Sequence, residues 1–172
     1  MDKAVEMVAE LMRAAAITAP KGAGQDFIEV KICGEIEMKM IAAEMLKLGE
    51  EKGTANWDRD AKGVENADGL VLIGVLPHKG LGLNCGACGF ATCAEFNEAS
   101  ASGDFKGPNC MIRELDLGIA LGSAVKTAQM HNVDNRIMYR AGAAAKRLGL
   151  MKSNVIMGIP LSVSGKNIYF DR

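Results

Sequence analysis

The chain has 172 residues, 49% of them apolar and 24% charged. That is enough for one globular domain with a real core, and too apolar for intrinsic disorder. Its 20 basic and 21 acidic residues leave a formal net charge of −1, which argues against a nucleic-acid binder working through a cationic surface.

The N-terminal stretch places Asp2 and Glu6 where a secretory signal would be cationic and then apolar. The strongly apolar runs 69–77 and 117–125 are about half of the roughly 20 residues a membrane helix needs. The expectation is a cytoplasmic protein without a membrane or nucleic-acid partner, in a compartment that keeps thiols reduced. There, clustered cysteines point to metal or redox chemistry more than to disulfides.

In chain order, residues 3–17 read as an amphipathic helix, with Val5, Val8, Leu11 and Met12 at helical spacing. Pro20, Gly22 and Gly24 break it. Residues 26–33 read as a strand and 35–48 as a second helix. Residues 53–68 are polar and carry Trp57. The run GLVLIGVL at 69–76 is a buried strand that ends at Pro77. Residues 78–93 are glycine-rich, 94–102 form a short helix and 103–109 a loop. Residues 112–130 form a long helix in which Gly118 and Gly122, one turn apart, suggest close packing. Residues 136–148 form another helix. Strands at 155–163 and 167–170 are joined by a turn at Ser164-Gly165, and Pro160 places the first of them at a sheet edge or a bulge. The class is α+β, a small mixed sheet covered by helices. It forms a single domain over 1–172, with 78–111 as an insert.

Cys85, Cys88, Cys93 and Cys110 read C-x2-C-x4-C-x16-C. An iron–sulfur cubane has four iron corners and needs four thiolates on a compact shell. A tight loop can present three of them, and Gly86 and Gly89 let the backbone wrap closely. Cys110 precedes the long helix, near its positive end. The spacing is that of neither common ferredoxin run and lacks the paired C-x2-C of a zinc ribbon. On spacing, an iron–sulfur cluster leads, with structural zinc and unliganded thiols as alternatives.

The segment Asn84-Cys85-Gly86-Ala87-Cys88-Gly89-Phe90-Ala91-Thr92-Cys93, followed by Gly103 and Cys110, resembles the CGxCGxxxC…C cluster-binding domain. That domain occurs in corrinoid iron–sulfur proteins and in a ferredoxin-like subunit of ion-pumping electron-transfer complexes. The resemblance implies one 4Fe–4S cluster held by Cys85, Cys88, Cys93 and Cys110, although Met111 stands where relatives often carry proline. Through residues 14–21, the cysteine block and residues 158–172, the whole chain resembles a family of ferredoxin-domain-containing proteins of archaea and anaerobic bacteria.

Residues 14–30, 68–75 and 148–160 also resemble flavin-dependent nitroreductases in sequence and element order. This implies a nitroreductase-like fold, a homodimer and FMN. The arginine-serine segment that such enzymes use for the flavin phosphate is missing here. Lys21, Gly22 and Gly24 could offer a charge and backbone donors to a phosphate, against the plainer reading of a surface turn.

Other candidates carry plainer readings too. Gly80-Leu81-Gly82 does not extend to a dinucleotide-binding loop, because Cys85 occupies the final glycine position. Cys33 reads as a small buried hydrophobe. His78 could shuttle protons or tune the cluster, or simply be solvated beside Pro77. His131 marks a helix C-terminus. Six basic residues between Lys126 and Lys152 could dock an acidic electron-transfer partner, or form a solvated face. Phe90, Phe96 and Phe105 would shield the cluster.

The functional expectation is a redox protein with one 4Fe–4S cluster, passing single electrons to or from a redox partner protein. The alternatives are an FMN-dependent reductase fed by the cluster, and a structural zinc or cluster module. No catalytic residue is identified.

Overall fold

The computed structural model describes residues 2–170, so the last two residues of the stretch 158–172 lie outside the described residues. Among the described residues, six α-helices and six strands run in the order α1 (Lys3–Thr18), β1 (Ile28–Cys33), α2 (Glu35–Lys52), α3 (Trp57–Glu65), β2 (Gly69–Val75), α4 (Cys93–Glu98), β3 (Ala101–Ser102), β4 (Lys106–Gly107), α5 (Met111–Met130), β5 (Asp134–Asn135), α6 (Tyr139–Arg147) and β6 (Val155–Ser162). A four-stranded sheet has the order β1-β2-β6-β5, and β3 pairs with β4 in a separate hairpin. Every pairing is antiparallel; the sheet expected to be mixed contains no parallel pair among the described residues.

Helices cover both faces of the sheet. Val71, Ile73 and Val75 of β2, with Ile159 and Leu161 of β6, face α1 and α5, where Val5, Met12, Leu117 and Ala124 complete the core. Leu70 and Leu72, with Ile156, face α2, α3 and α6. This explains why β2 is buried at all seven positions: covering both faces removes the polar alternation of a one-sided strand. α6 approaches β6 closely through its small residues. A Cβ added at Gly142 would fall inside the Ile156 carbonyl group, and one at Gly158 would lie 2.6 Å from the Ala141 Cβ.

Several sequence expectations need correction. Residues 57–65 are a helix, with Trp57, Asp60, Ala61 and Val64 buried. The spacing is helical, but Asp60 breaks the apolar stripe, and its charge is met by Arg59 and Arg140. Residues 167–170 are not a strand. Asn167 Oδ1 accepts the Tyr169 amide at 2.9 Å and closes a local turn, a common competitor to ladder pairing. The place beside β6 is taken by β5. Pro160 therefore lies on an inner strand, opposite Leu70 of β2. Met138 and Gly158 exchange two hydrogen bonds, so the missing Pro160 N–H points to the same side. There the register places Arg136, and the β5 ladder is interrupted between Asn135 and Met138. The helix expected over 94–102 ends at Glu98; Ala101–Ser102, from its expected end, pair with Lys106–Gly107 of the expected loop as the β3–β4 hairpin. Gly118 and Gly122 do not mediate close packing within the chain, since a Cβ at either meets nothing within 4 Å.

The glycines thus predict opposite outcomes. Gly142→Ala forces α6 off β6 and costs about 3 kcal/mol by overpacking. Gly118→Ala gains up to about 1 kcal/mol of helix propensity. Urea denaturation of the two variants should move the midpoint in opposite directions.

Candidate iron–sulfur site

Between β2 and α5 the chain folds the cysteine segment into a pocket at one end of the sheet. Cys85, Cys88, Cys93 and Cys110 all line it, with Gly80, Leu81, Leu83, Asn84, Phe90, Met111 and Ile112 among their neighbours. Cys85 is exposed, Cys88 and Cys93 are half-buried and Cys110 is buried. Among the described residues, no three histidine, cysteine, aspartate or glutamate side chains converge to hold a single metal ion.

Local chemistry explains the loop. Gly86 and Gly89 have φ of 70° and 86°, in the left-handed region that glycine enters without a Cβ penalty. Asn84 has φ 48°, and its Oδ1 accepts the Cys93 amide at 2.8 Å. Thr92 caps α4 by accepting the Glu95 amide, which fixes Cys93 as the first helical residue. A Cβ at Gly80 would sit 3.0 Å from the Cys93 Cβ and 3.2 Å from its Sγ, so a side chain there would crowd that thiol. Its amide is held by Asn97 Oδ1 at 2.8 Å.

Cys110 arrives from the other side, as the capping residue of α5. His78 links it to β2. The Leu76 carbonyl lies 2.8 Å from His78 Nδ1 and can only accept, so Nδ1 carries the proton. Nε2 then accepts the Cys110 amide at 3.0 Å. His78 is thus half-buried and doubly hydrogen-bonded rather than solvated. Burial, followed by the nearby Arg113 charge, pushes its pKa down against the pull of the Leu76 bond. Its ring packs edge-on to Phe27 at 6.0 Å.

Phe90 lines the pocket and packs edge-on to buried Phe96 at 5.8 Å. Phe105 does not shield the site. It packs on Tyr139 at 5.3 Å, toward α6. Cys33 is fully buried in the core, and burial pushes its thiol up to about 12. His131 caps the C-terminal end of α5.

Gly22–Gly24 form a short turn with no buried residue, as the plainer reading expects, while the Lys21 side chain and the Gly22 backbone are engaged within the chain. Lys21 has a buried side chain. Its ammonium donates to the carbonyls of Ala16, Ile17 and Ala19 and lies 3.7 Å from Asp26. It closes the end of α1. The Gly22 amide donates to Asp116 at 2.7 Å, and the Gly22 carbonyl accepts from Arg113 at 2.9 Å. The Gly24 amide donates to the Lys21 carbonyl. Most of the basic run is likewise engaged: Arg140 with Asp60, Arg147 with Glu44 and Glu51, Lys146 with the Ser153 carbonyl, and Arg136 with the Tyr169 carbonyl.

What the sequence did not flag is the support. Asn84, Asn97 and Asp104 are ordinary polar loop residues until the fold shows what they hold. Asp104 ties the β3–β4 hairpin to the far layer through Lys52 at 2.5 Å and the Tyr139 hydroxyl.

Residues 106–172 match the model of a family described as uncharacterized proteins containing a ferredoxin domain. Residues 82–111 match one described as "Putative Fe-S cluster". The chain is 47% identical over 172 residues to an uncharacterized protein of Archaeoglobus fulgidus, covering 99% of this chain and 93% of that one. It is similar in structure to nitroreductase A from Vibrio parahaemolyticus, with a TM-score of 0.57 at 13% identity, over 97% of this chain and 61% of that one. It is also similar to a nitroreductase with bound FMN from Desulfitobacterium hafniense, with a TM-score of 0.57 at 16% identity, over 96% and 79%. Such identities speak to fold alone, and the nitroreductase-like α+β architecture expected from the sequence holds. The chain spans 61% of the length of nitroreductase A. The cysteine segment has iron–sulfur, ferredoxin-domain character. Among the described residues no helix is long and apolar enough to cross a membrane.

The Asp104 tie gives a pH prediction. The Lys52 ammonium, then the Tyr139 hydroxyl, hold this carboxyl below its ordinary value of 3.8. A lowered pKa contributes stability that is whole above the ordinary value and lost as pH falls through the lowered one. The Phe105 and Tyr139 ring resonances should stay fixed from pH 7 to about 5 and shift only in stronger acid. In Asp104→Asn they should show the shifted position already at neutral pH.

Proposed function

We propose, from the premise that the chain belongs to the family of uncharacterized proteins containing a ferredoxin domain, that it is a redox protein holding one 4Fe–4S cluster and exchanging single electrons with a partner protein. Cys85, Cys88, Cys93 and Cys110 are the ligands, and residues 78–111 form the cluster-binding insert of a single domain. The observation that carries the reading is that these four thiols, and not Cys33, line one pocket.

The donor set fits the group: four thiols, no carboxylate in the lining, and a loop whose glycines allow the backbone to curl around the pocket. When bound, a cluster supplies one-electron transfer at a potential set by charge, hydrogen bonding and exposure. The chain's own part is to graduate that exposure. Cys110 is buried at the base, and the Phe90–Phe96 pair walls one side. Cys85, with Leu83 61% exposed beside it, leaves an edge open to solvent, where a partner can approach.

Two other readings use the same molecule. An FMN-dependent reductase, with the flavin shared in a homodimer, draws on the fold likeness to FMN-containing nitroreductases. It would need phosphate contacts other than Lys21, whose donors are spent within the chain. A structural zinc site would use the same four thiols.

Anaerobically purified protein, reduced with dithionite, should give an EPR signal of about one spin per chain. Cys88→Ser should lose it and Cys33→Ala should keep it. An EPR-silent protein carrying zinc would refute the redox reading. Retention of added FMN on gel filtration would turn the assignment toward the reductase.

A further inference from the structure

The fourth thiol poses a positioning problem. Cys85 and Cys88 sit on one compact loop that Cys93 ends as the first residue of α4, whereas Cys110 follows α4 and the β3–β4 hairpin and caps α5. Separate segments must hold it in register with the other three. The direct polar link from the β2 side of the pocket to Cys110 is His78, whose ring bridges the Leu76 carbonyl and the Cys110 amide. Asn84 does the same for Cys93, accepting its amide at 2.8 Å. Two ligand residues on opposite sides of the pocket therefore have their backbone donors taken by side-chain acceptors.

This has an electronic consequence as well as a geometric one. A backbone N–H aimed at an iron–sulfur centre stabilises its more negative, reduced state and raises its potential. An N–H already donating to an imidazole nitrogen or an amide oxygen is withheld from the sulfurs. The His78 ring is itself fixed, edge-on against Phe27 at 6.0 Å. Phe27 in turn lies 4.7 Å beneath the buried Arg113 guanidinium. The acceptor is thus built into the α5–β1 contact and does not hang free in the loop.

We propose that His78 and Asn84 are positioning residues, which clamp the backbone amides of Cys110 and Cys93, fix those two thiols across the pocket, and keep both amides from donating to the sulfur shell. The inference rests on the ligand assignment given under the proposed function. It adds two residues that touch no iron but govern how two of the ligands are held. The clamp needs only an acceptor at each position. Gln places Oε1 near where His78 Nε2 lies, and Asp supplies the same acceptor as Asn84.

The test compares His78→Leu with His78→Gln, and Asn84→Gly with Asn84→Asp. Glycine is chosen because Asn84 has φ 48°, which glycine accepts without strain. Two quantities are read on the anaerobically purified protein. One is hydrogen–deuterium exchange at the Cys110 and Cys93 amides. The other is the reduction potential, followed by EPR. Loss of the acceptor should speed exchange at the matching cysteine amide by about tenfold and move the potential upward, while His78→Gln and Asn84→Asp should restore slow exchange. Unchanged exchange in His78→Leu overturns the clamp. Faster exchange with an unmoved potential overturns the electronic role. If the wild-type chain carries no iron, the ligand assignment itself has failed. Exchange at the two amides is still measurable then, and judges the clamp separately.

Discussion

A buried guanidinium sets the position of the site. Arg113 is 1% exposed and cannot shed its charge, so its surroundings must be built to receive it. Its Nη1 donates to the carbonyls of Gly22 and Gln25 and to Asp116 Oδ2, and its Nη2 donates to Gln25 Oε1. Its face covers Phe27. Breaking a buried pair of this kind typically costs about 3–5 kcal/mol, because one charge is left uncompensated. The pair lies within α5, and its hydrogen bonds to Gly22 and Gln25 fix the first turns of that helix against the loop that enters β1. Cys110 lies three residues before Arg113, and His78 lies on the far side of Phe27. The placement of the fourth thiol thus follows from hydrogen bonds between α5 and the Gly22–Gln25 loop, made by residues that do not line the pocket. Nε of Arg113 has no partner among the described residues, so even this network is not fully satisfied.

The same network explains why a loop with the composition of a phosphate site is put to other use. Gly22 gives its amide to Asp116 and its carbonyl to Arg113, and Lys21 turns back onto the end of α1. A sequence reading sees lysine and two glycines. It cannot see that a helix 90 residues later presents both partners. Local composition identified a loop correctly, while the long-range hydrogen bonds decided its role.

Elements with uninterrupted periodicity were legible in the sequence: α1, α2, α5, β1 and β2 lie within a few residues of their expected bounds. So was the division of the cysteines into four and one, because spacing and glycine content alone set the loop apart from Cys33. The failures share a cause. Asp60 hid α3 because a charge at a core position needs a distant Arg140 to make sense. Pro160 suggested an edge because the gap in β5 that tolerates it is a tertiary fact. His78 looked solvated because its two partners, Leu76 and Cys110, are joined only by the fold. In each case a polar or restricted residue is satisfied by something far along the chain.

The central claim is that four thiols of one pocket hold an iron–sulfur cluster in a nitroreductase-like frame. Quantification of iron, acid-labile sulfide and zinc in protein purified without exposure to air tests it most directly. The account predicts about four irons and about four sulfides per chain, with zinc absent. One zinc per chain with neither iron nor sulfide would contradict it.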